Sequence, residues 1–490
     1  MRNYASVILV AACLLLVSLP AAASYGIYVG RQLTADGSVY LGGSGDEVSS
    51  HWLEIIPARQ HAADATITVG VDATAVLAGE LTEIPQVPRT ARYITMNYSE
   101  YEGFPPPLTN GGLNEHGVAA RDIWSDSRPE LIALTPNPQR GPNYSDLSRI
   151  VMERATSAEE AVMIVGDLIN RYGYSSYGGN SHLFADAKEG WVLIEYAGGK
   201  GLWIARRLGQ DEVFMSYPGY IGEIPIDYQQ HPDYHGSDNF VDFAVEQGWF
   251  DPDSERPFIA DEVYGTSLIR YPRAEMEAEL RAAAPITLRK MLNAVRDRRI
   301  AKDSTGYGQV AVLRNDVRRE LRTLWVAPTG SVTAPFIPWR IGVTSVPPEY
   351  GKHRYLTKGE SRRFLTEDWQ IQEASLFVGR LFKRLMYFTC DRPSKFLPEV
   401  TEALTAFEDR MIGEQADLET TTMILYEAGQ ERLAAQALTR YAHTAAEEAL
   451  ELGAALLASI EARTRVLYGL RSPQTDEMSR LDYQMVSCRQ

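Results

Sequence analysis

The stretch Ala21-Ala22-Ala23-Ser24-Tyr25-Gly26-Ile27-Tyr28-Val29-Gly30 decides how the chain is read. Its three alanines give the small-residue pattern of a leader cleavage site. The residues after them alternate apolar and other positions, as a strand does. Ahead of the alanines, Arg2 supplies a positive end, residues 7–19 are apolar except for Ser18, and Pro20 breaks the run. That run is too short for a comfortable membrane-spanning helix, so residues 1–23 are expected to be a signal peptide. Cleavage after Ala23 leaves Ser24 at the terminus, where one residue carries both nucleophile and base. The hydroxyl attacks, and the free α-amine, with an ordinary pKa of about 7.7–8.0, accepts its proton at neutral pH. A rival processing pattern, Val10-Ala11-Ala12-Cys13, resembles a lipoprotein box and would leave Ser24 without a free amine. The apolar run continues past Cys13, which argues against it.

Working outward, Ala35-Asp36-Gly37-Ser38 is an Asp-Gly turn and Val39-Tyr40-Leu41 is the returning strand, so the mature chain opens as a hairpin. Gly42-Gly43-Ser44-Gly45-Asp46 reads as a flexible turn whose glycines permit close backbone approach. Strands are expected at 52–56, 93–97, 183–186, 191–196 and 202–206, and residues 113–120 read as a tight turn leading into a strand. Residues 157–172 form the clearest helix, with Ser157 and Glu160 as a capping box and Gly173 as its stop. Strands in hairpin order with helices between and after them predict an α+β fold. From 351 to 490 the chain reads as mostly helical. It includes an amphipathic stretch at 369–388 and an Ala-, Leu- and Glu-rich stretch at 431–467 read as a packed helix pair.

The 490 residues are 45% hydrophobic and 23% charged, which is enough for a large core. A formal net charge of −16 argues against nucleic acid as a partner and against a basic membrane-surface patch. No stretch after the leader is apolar enough to span a bilayer, so no membrane association is expected once it is removed. Cys390 and Cys488 stay in the mature chain, and the sequence leaves open whether they pair. His231 and His235 have a metal-ligand separation, but Pro232 between them disfavours a regular helix, and they are not read as a metal site.

An ordered set of motifs resembles the dipeptidase family of N-terminal-nucleophile hydrolases, relatives of the choloylglycine hydrolases and secernins. The set is Ser24 with Ile27–Gly30 and Asp36-Gly37-Ser38, then Ile84-Pro85-Gln86-Val87-Pro88, Asn114-Glu115-His116-Gly117-Val118-Ala119, Glu153-Arg154-Ala155 and Tyr172-Gly173-Tyr174. Phe184-Ala185-Asp186, Trp203-Ile204-Ala205-Arg206-Arg207, Leu324-Trp325-Val326-Ala327-Pro328 and Gly342-Val343-Thr344 continue it. The resemblance implies a four-layer αββα sandwich over residues 24–350, hydrolysis of dipeptides, and no metal or organic cofactor. The chain departs from the family twice. Ser24 stands where Cys is usual, and Gly43-Ser44-Gly45-Asp46 stands where many relatives carry Arg-Asn-x-Asp, so the Asp is kept and the Arg is absent. In the wider superfamily that Arg contacts the catalytic centre.

The expected catalytic residues are Ser24 as nucleophile, Asp46 to orient the α-amine or bind a substrate ammonium, and Asn180 as oxyanion donor. Asn97 and Asn114 are rivals for the last role. The expected partner is a small peptide, and self-association into a homo-oligomer is left open. Two alternatives stand beside the exported dipeptidase: an N-acyl amide hydrolase on the same fold, and a secreted binding protein on a retired hydrolase scaffold.

Overall fold

The computed structural model describes residues 24–45, 51–99, 101–216, 218–266, 273–302, 305–353, 376–469 and 488. The leader and Asp46 lie outside the described residues.

Fourteen strands build two antiparallel sheets. In chain order they are β1 (Tyr25–Val29), β2 (Val39–Ser44), β3 (His51–Ile56), β4 (Tyr93–Tyr98), β5 (Leu108–Asn114), β6 (Ala119–Trp124) and β7 (Gly179–Ala185). There follow β8 (Gly190–Tyr196), β9 (Trp203–Leu208), β10 (Val213–Ser216), β11 (Tyr234–Gly236), β12 (Gly308–Leu313), β13 (Thr323–Ala327) and β14 (Ile337–Arg340). One sheet runs β10-β1-β2-β12-β13-β14 and the other β11-β9-β8-β7-β6-β5-β4-β3. The second sheet is a near-continuous meander, the form that short hairpin connections produce.

The first hairpin forms as expected. Asp36 accepts the Ser38 N–H at 3.1 Å and Gly37 takes φ 73°, which closes the turn. Gly42-Gly43-Ser44 is not a flexible turn, however; it is buried strand. At Gly43 φ is 152°, and a Cβ there would drive into the carbonyl oxygen of Tyr25. Glycine is what lets β2 close on β1.

The sheets stack face to face, with Tyr28, Leu41, Ile123, Leu183 and Ile194 in one shared core. Helices α1 (Tyr144–Arg154) and α2 (Ala158–Tyr172) cover the outer face of the eight-stranded sheet. Helices α3 (Arg273–Ala282) and α4 (Leu288–Val295) cover the outer face of the six-stranded one. The result is a four-layer αββα sandwich. α1 starts on a complete capping box from Asn143 and Asp146. α2 has only half of its expected box. Ser157 accepts from the Glu160 N–H, but the Glu160 carboxylate takes the N–H of Thr156 at 2.7 Å.

Four further helices, α5 (Val378–Asp391), α6 (Pro393–Gly413), α7 (Gln415–Glu427) and α8 (Glu431–Tyr468), pack on the β14 side and share its core. The expected helix pair at 431–467 is one continuous helix. Glu408 of α6 is buried and ties this region to the sandwich. It pairs with Arg289 of α4 and with Arg296 just after that helix, and accepts the Phe336 N–H at 2.9 Å. Cys390 and Cys488 form a disulfide. Among the described residues, no helix is long and apolar enough to cross a membrane.

Candidate active site

Ser24 directly precedes β1 and is 6% exposed. Side chains alternate along that strand. Tyr25 points to the helix side, where its hydroxyl donates to the Val295 carbonyl at the end of α4. Gly26 points to the other sheet: a Cβ there would lie 2.5 Å from Leu183 Cδ1 and 3.0 Å from Ile123 Cδ1. Ser24 has the parity of Gly26 and therefore faces the space between the sheets. The register pairs Gly26 with Ser216 and Tyr25 with Ser44, which carries Ser24 level with Pro218 on one side and Gly45 on the other.

Both flanks are stitched to neighbours. The Gly219 N–H donates to the Trp124 carbonyl at 2.8 Å, and the Gly306 N–H donates to the Gly45 carbonyl at 2.7 Å. Strand β6 crosses above. Ile123 lies over Gly26, and Arg121, two residues earlier on the same face, donates to the Ser44 carbonyl at 2.8 Å and to the Tyr307 hydroxyl. The His51 and Tyr307 rings sit 5.2 Å apart at this edge. At the other end of β6, burial pushes the Asp126 carboxyl up to about 6. A guanidinium thus reaches the end of β2 from the opposite sheet, although position 43 has no room for one.

The structure does not bring Asn180 onto the face that Ser24 takes. It lies within β7, and its parity is that of His182 and Phe184, which face the helix layer, while Leu183 faces Gly26. Its amide is 3.4 Å from Asp122 Oδ2 on the same outer face. The two rivals are also on that face. Asn97 bonds Glu54 across the strands. Asn114 donates to the Met152 and Ala155 carbonyls of the α1 terminus and accepts the N–H groups of His116 and Val118. Strand register, which the sequence does not display, decides all three. The bulge in the β4–β5 pairing sets buried Asn110 and Gly111 opposite Met96, a residue of the inter-sheet core. That places Asn110, which sequence reasoning passed over, on the inner side one strand from Arg121.

Under α1 the outer face holds a second polar cluster. Ser148 Oγ and His182 Nε2 are 3.0 Å apart, and His182 Nδ1 and Glu195 Oε1 are 3.0 Å apart. The order Ser–His–carboxylate is that of a hydrolytic triad. Yet all three residues are fully buried, and the sheet separates them from Ser24. Burial alone lowers the His182 pKa, but the charge of Glu195, helped by Asp122, outweighs it and raises the value. His231 and His235 have separate partners, Asp227 and Glu159, each at 3.1 Å. Among the described residues no group of three or more His, Cys, Asp or Glu side chains is placed to hold a metal ion.

Residues 23–273, just over half of the sequence, match the model of peptidase family C69. The chain belongs to that family. It is therefore a peptidase-type amidohydrolase, and the match begins one residue before Ser24. Among solved structures, two variants of the conjugated bile acid hydrolase from Clostridium perfringens are similar over 65% of this chain and 92% of theirs. Identities are 12% and 13% and TM-scores 0.33 and 0.34.

Proposed function

We propose that this C69 member is an exported dipeptidase whose nucleophile is Ser24, released as the N-terminus by cleavage after Ala23. The observation that carries the reading is the placement of Ser24: at the start of a central strand, facing the cleft between two sheets, with glycine or proline level with it on both sides. Ser24 Oγ attacks the peptide carbonyl, and its proton passes to the α-amine. The tetrahedral intermediate collapses, the C–N bond breaks, and the leaving amine takes that proton. A seryl ester is left. Water, deprotonated by the same amine, then hydrolyses the ester and frees the acid. Asn110 is the side chain best placed to donate to the oxyanion. Export is supported by the Cys390–Cys488 disulfide, which belongs to an oxidising compartment.

The test compares a dipeptide panel with N-acyl amino acids using the processed wild type, S24A and S24C. A dipeptidase turns over the first panel, loses turnover in S24A and keeps it in S24C. Preference for the second panel would identify an acylase. Turnover of neither panel would identify a binding protein.

A further inference from the structure

Arg121 is a buried cation with unused capacity. It is wholly withdrawn from solvent between the sheets. One Nη donates to the Ser44 carbonyl and the other to the Tyr307 hydroxyl, with the Tyr307 ring centroid 5.0 Å away. Its Nε–H meets no acceptor, and no carboxylate pairs with it among the described residues. A guanidinium stays charged at every working pH, and burying a cation without an anion is strongly unfavourable. Among the described residues no anion completes this site, which leaves the place to an anion of the ligand.

We propose that Arg121 anchors the free C-terminal carboxylate of the substrate and so limits the enzyme to short peptides ending at the residue after the scissile bond. This rests on Ser24 being the nucleophile. Ser44 is the strand partner of Tyr25, so its carbonyl fixes the guanidinium about one residue pair from Ser24. In a dipeptide, only the peptide nitrogen and one Cα separate the scissile carbonyl from the carboxylate. With the carbonyl at Ser24 Oγ, the carboxylate falls toward Gly45, Arg121 and Tyr307. The leaving amine departs on that side, and the acyl half lies toward Gly219. A longer peptide puts a neutral amide opposite Arg121 and leaves the cation unpaired, which is how a buried polar group rejects an incomplete ligand.

The experiment measures kcat/KM of the processed, full-length enzyme on one dipeptide and on the same dipeptide as its C-terminal amide, for wild type, R121Q and R121K. A charge-assisted, bidentate contact predicts a preference for the free acid of about 50-fold or more. R121Q should lose about 100-fold on the acid and bring the two substrates within about threefold of each other, with R121K in between. Equal losses on acid and amide would assign Arg121 to the oxyanion or to structure and overturn the proposal, while activity lost only in S24A would keep the nucleophile. Should R121Q fail to fold, the wild type alone decides, since acid and amide rates within about threefold also overturn it. A wild type inert on both substrates removes the nucleophile reading and this proposal together.

Discussion

Glu195→Gln removes one charge from the buried cluster under α1, and the structure fixes both the size and the pH dependence of the effect. His182 and Glu195 are 3.0 Å apart and fully buried. Glu195 is the main reason that the His182 pKa lies above its ordinary value despite burial. A histidine whose folded pKa is raised contributes stability that is fully present below the unfolded value of about 6.5. That stability is lost as pH rises through the folded pKa. In the variant burial dominates instead, so the imidazole is neutral when folded and the folded state weakens as pH falls below about 6.5. Breaking a buried pair from one side costs about 3–5 kcal/mol; the amide still offers an acceptor, which sets the expectation at about 3 kcal/mol. The assay is urea unfolding followed by tryptophan fluorescence, at pH 6 and pH 8, on wild type and variant. Trp191 sits in the same strand as Glu195 and reports on the layer directly. The difference should be largest at pH 6 and clearly smaller at pH 8. A loss below about 1 kcal/mol at both values, or a larger loss at pH 8, would refute the argument.

Other perturbations have equally definite outcomes. Ser148→Ala should leave dipeptide turnover within about twofold of wild type, because Ser148 is sealed on the sheet-facing side of α1; abolition of activity would make the Ser148–His182–Glu195 array the catalytic one. Gly43→Ala should cost about 2–4 kcal/mol in urea unfolding, because its methyl meets the Tyr25 carbonyl and the backbone is strained for any other residue. Glu408→Ala leaves Arg296 buried and unpaired, and should lower stability by about 3 kcal/mol or more in the same assay. Reducing Cys390–Cys488, which closes a loop of 98 residues, should lower stability by about 2–4 kcal/mol, read as a lower melting temperature in reductant.

Features set by local chemistry were legible in the sequence. The Asp36-Gly37 turn fixes the first hairpin, and Ser157 and Gly173 bracket α2, because a side chain within four residues decides each of them. The alternation at Tyr25–Val29 likewise fixed which face Ser24 takes once the strand's neighbours were known. Features that depend on register were not legible. Strands β1, β2, β4, β5, β7 and β8 are buried along their whole length, so apolar alternation does not say which of their residues look inward. Arg121 and Asp122 are adjacent charges in one strand, and only the pairing shows that one enters the cleft and the other the helix layer. The same blindness put Asn180 beside Ser24 and hid Asn110, whose orientation comes from a bulge. Gly42-Gly43-Ser44 looked mobile because glycine has no packing signal of its own. Its role emerges only against Tyr25.

The central claim is that the exported protein begins at Ser24. Intact mass and N-terminal sequencing of the secreted, active protein test it most directly. The expected product begins at Ser24 with a free α-amine and carries the Cys390–Cys488 disulfide. An active protein that begins at a lipidated Cys13, or at any residue that leaves Ser24 in amide linkage, would contradict it, because the hydroxyl would then hydrolyse without the base on which the mechanism depends.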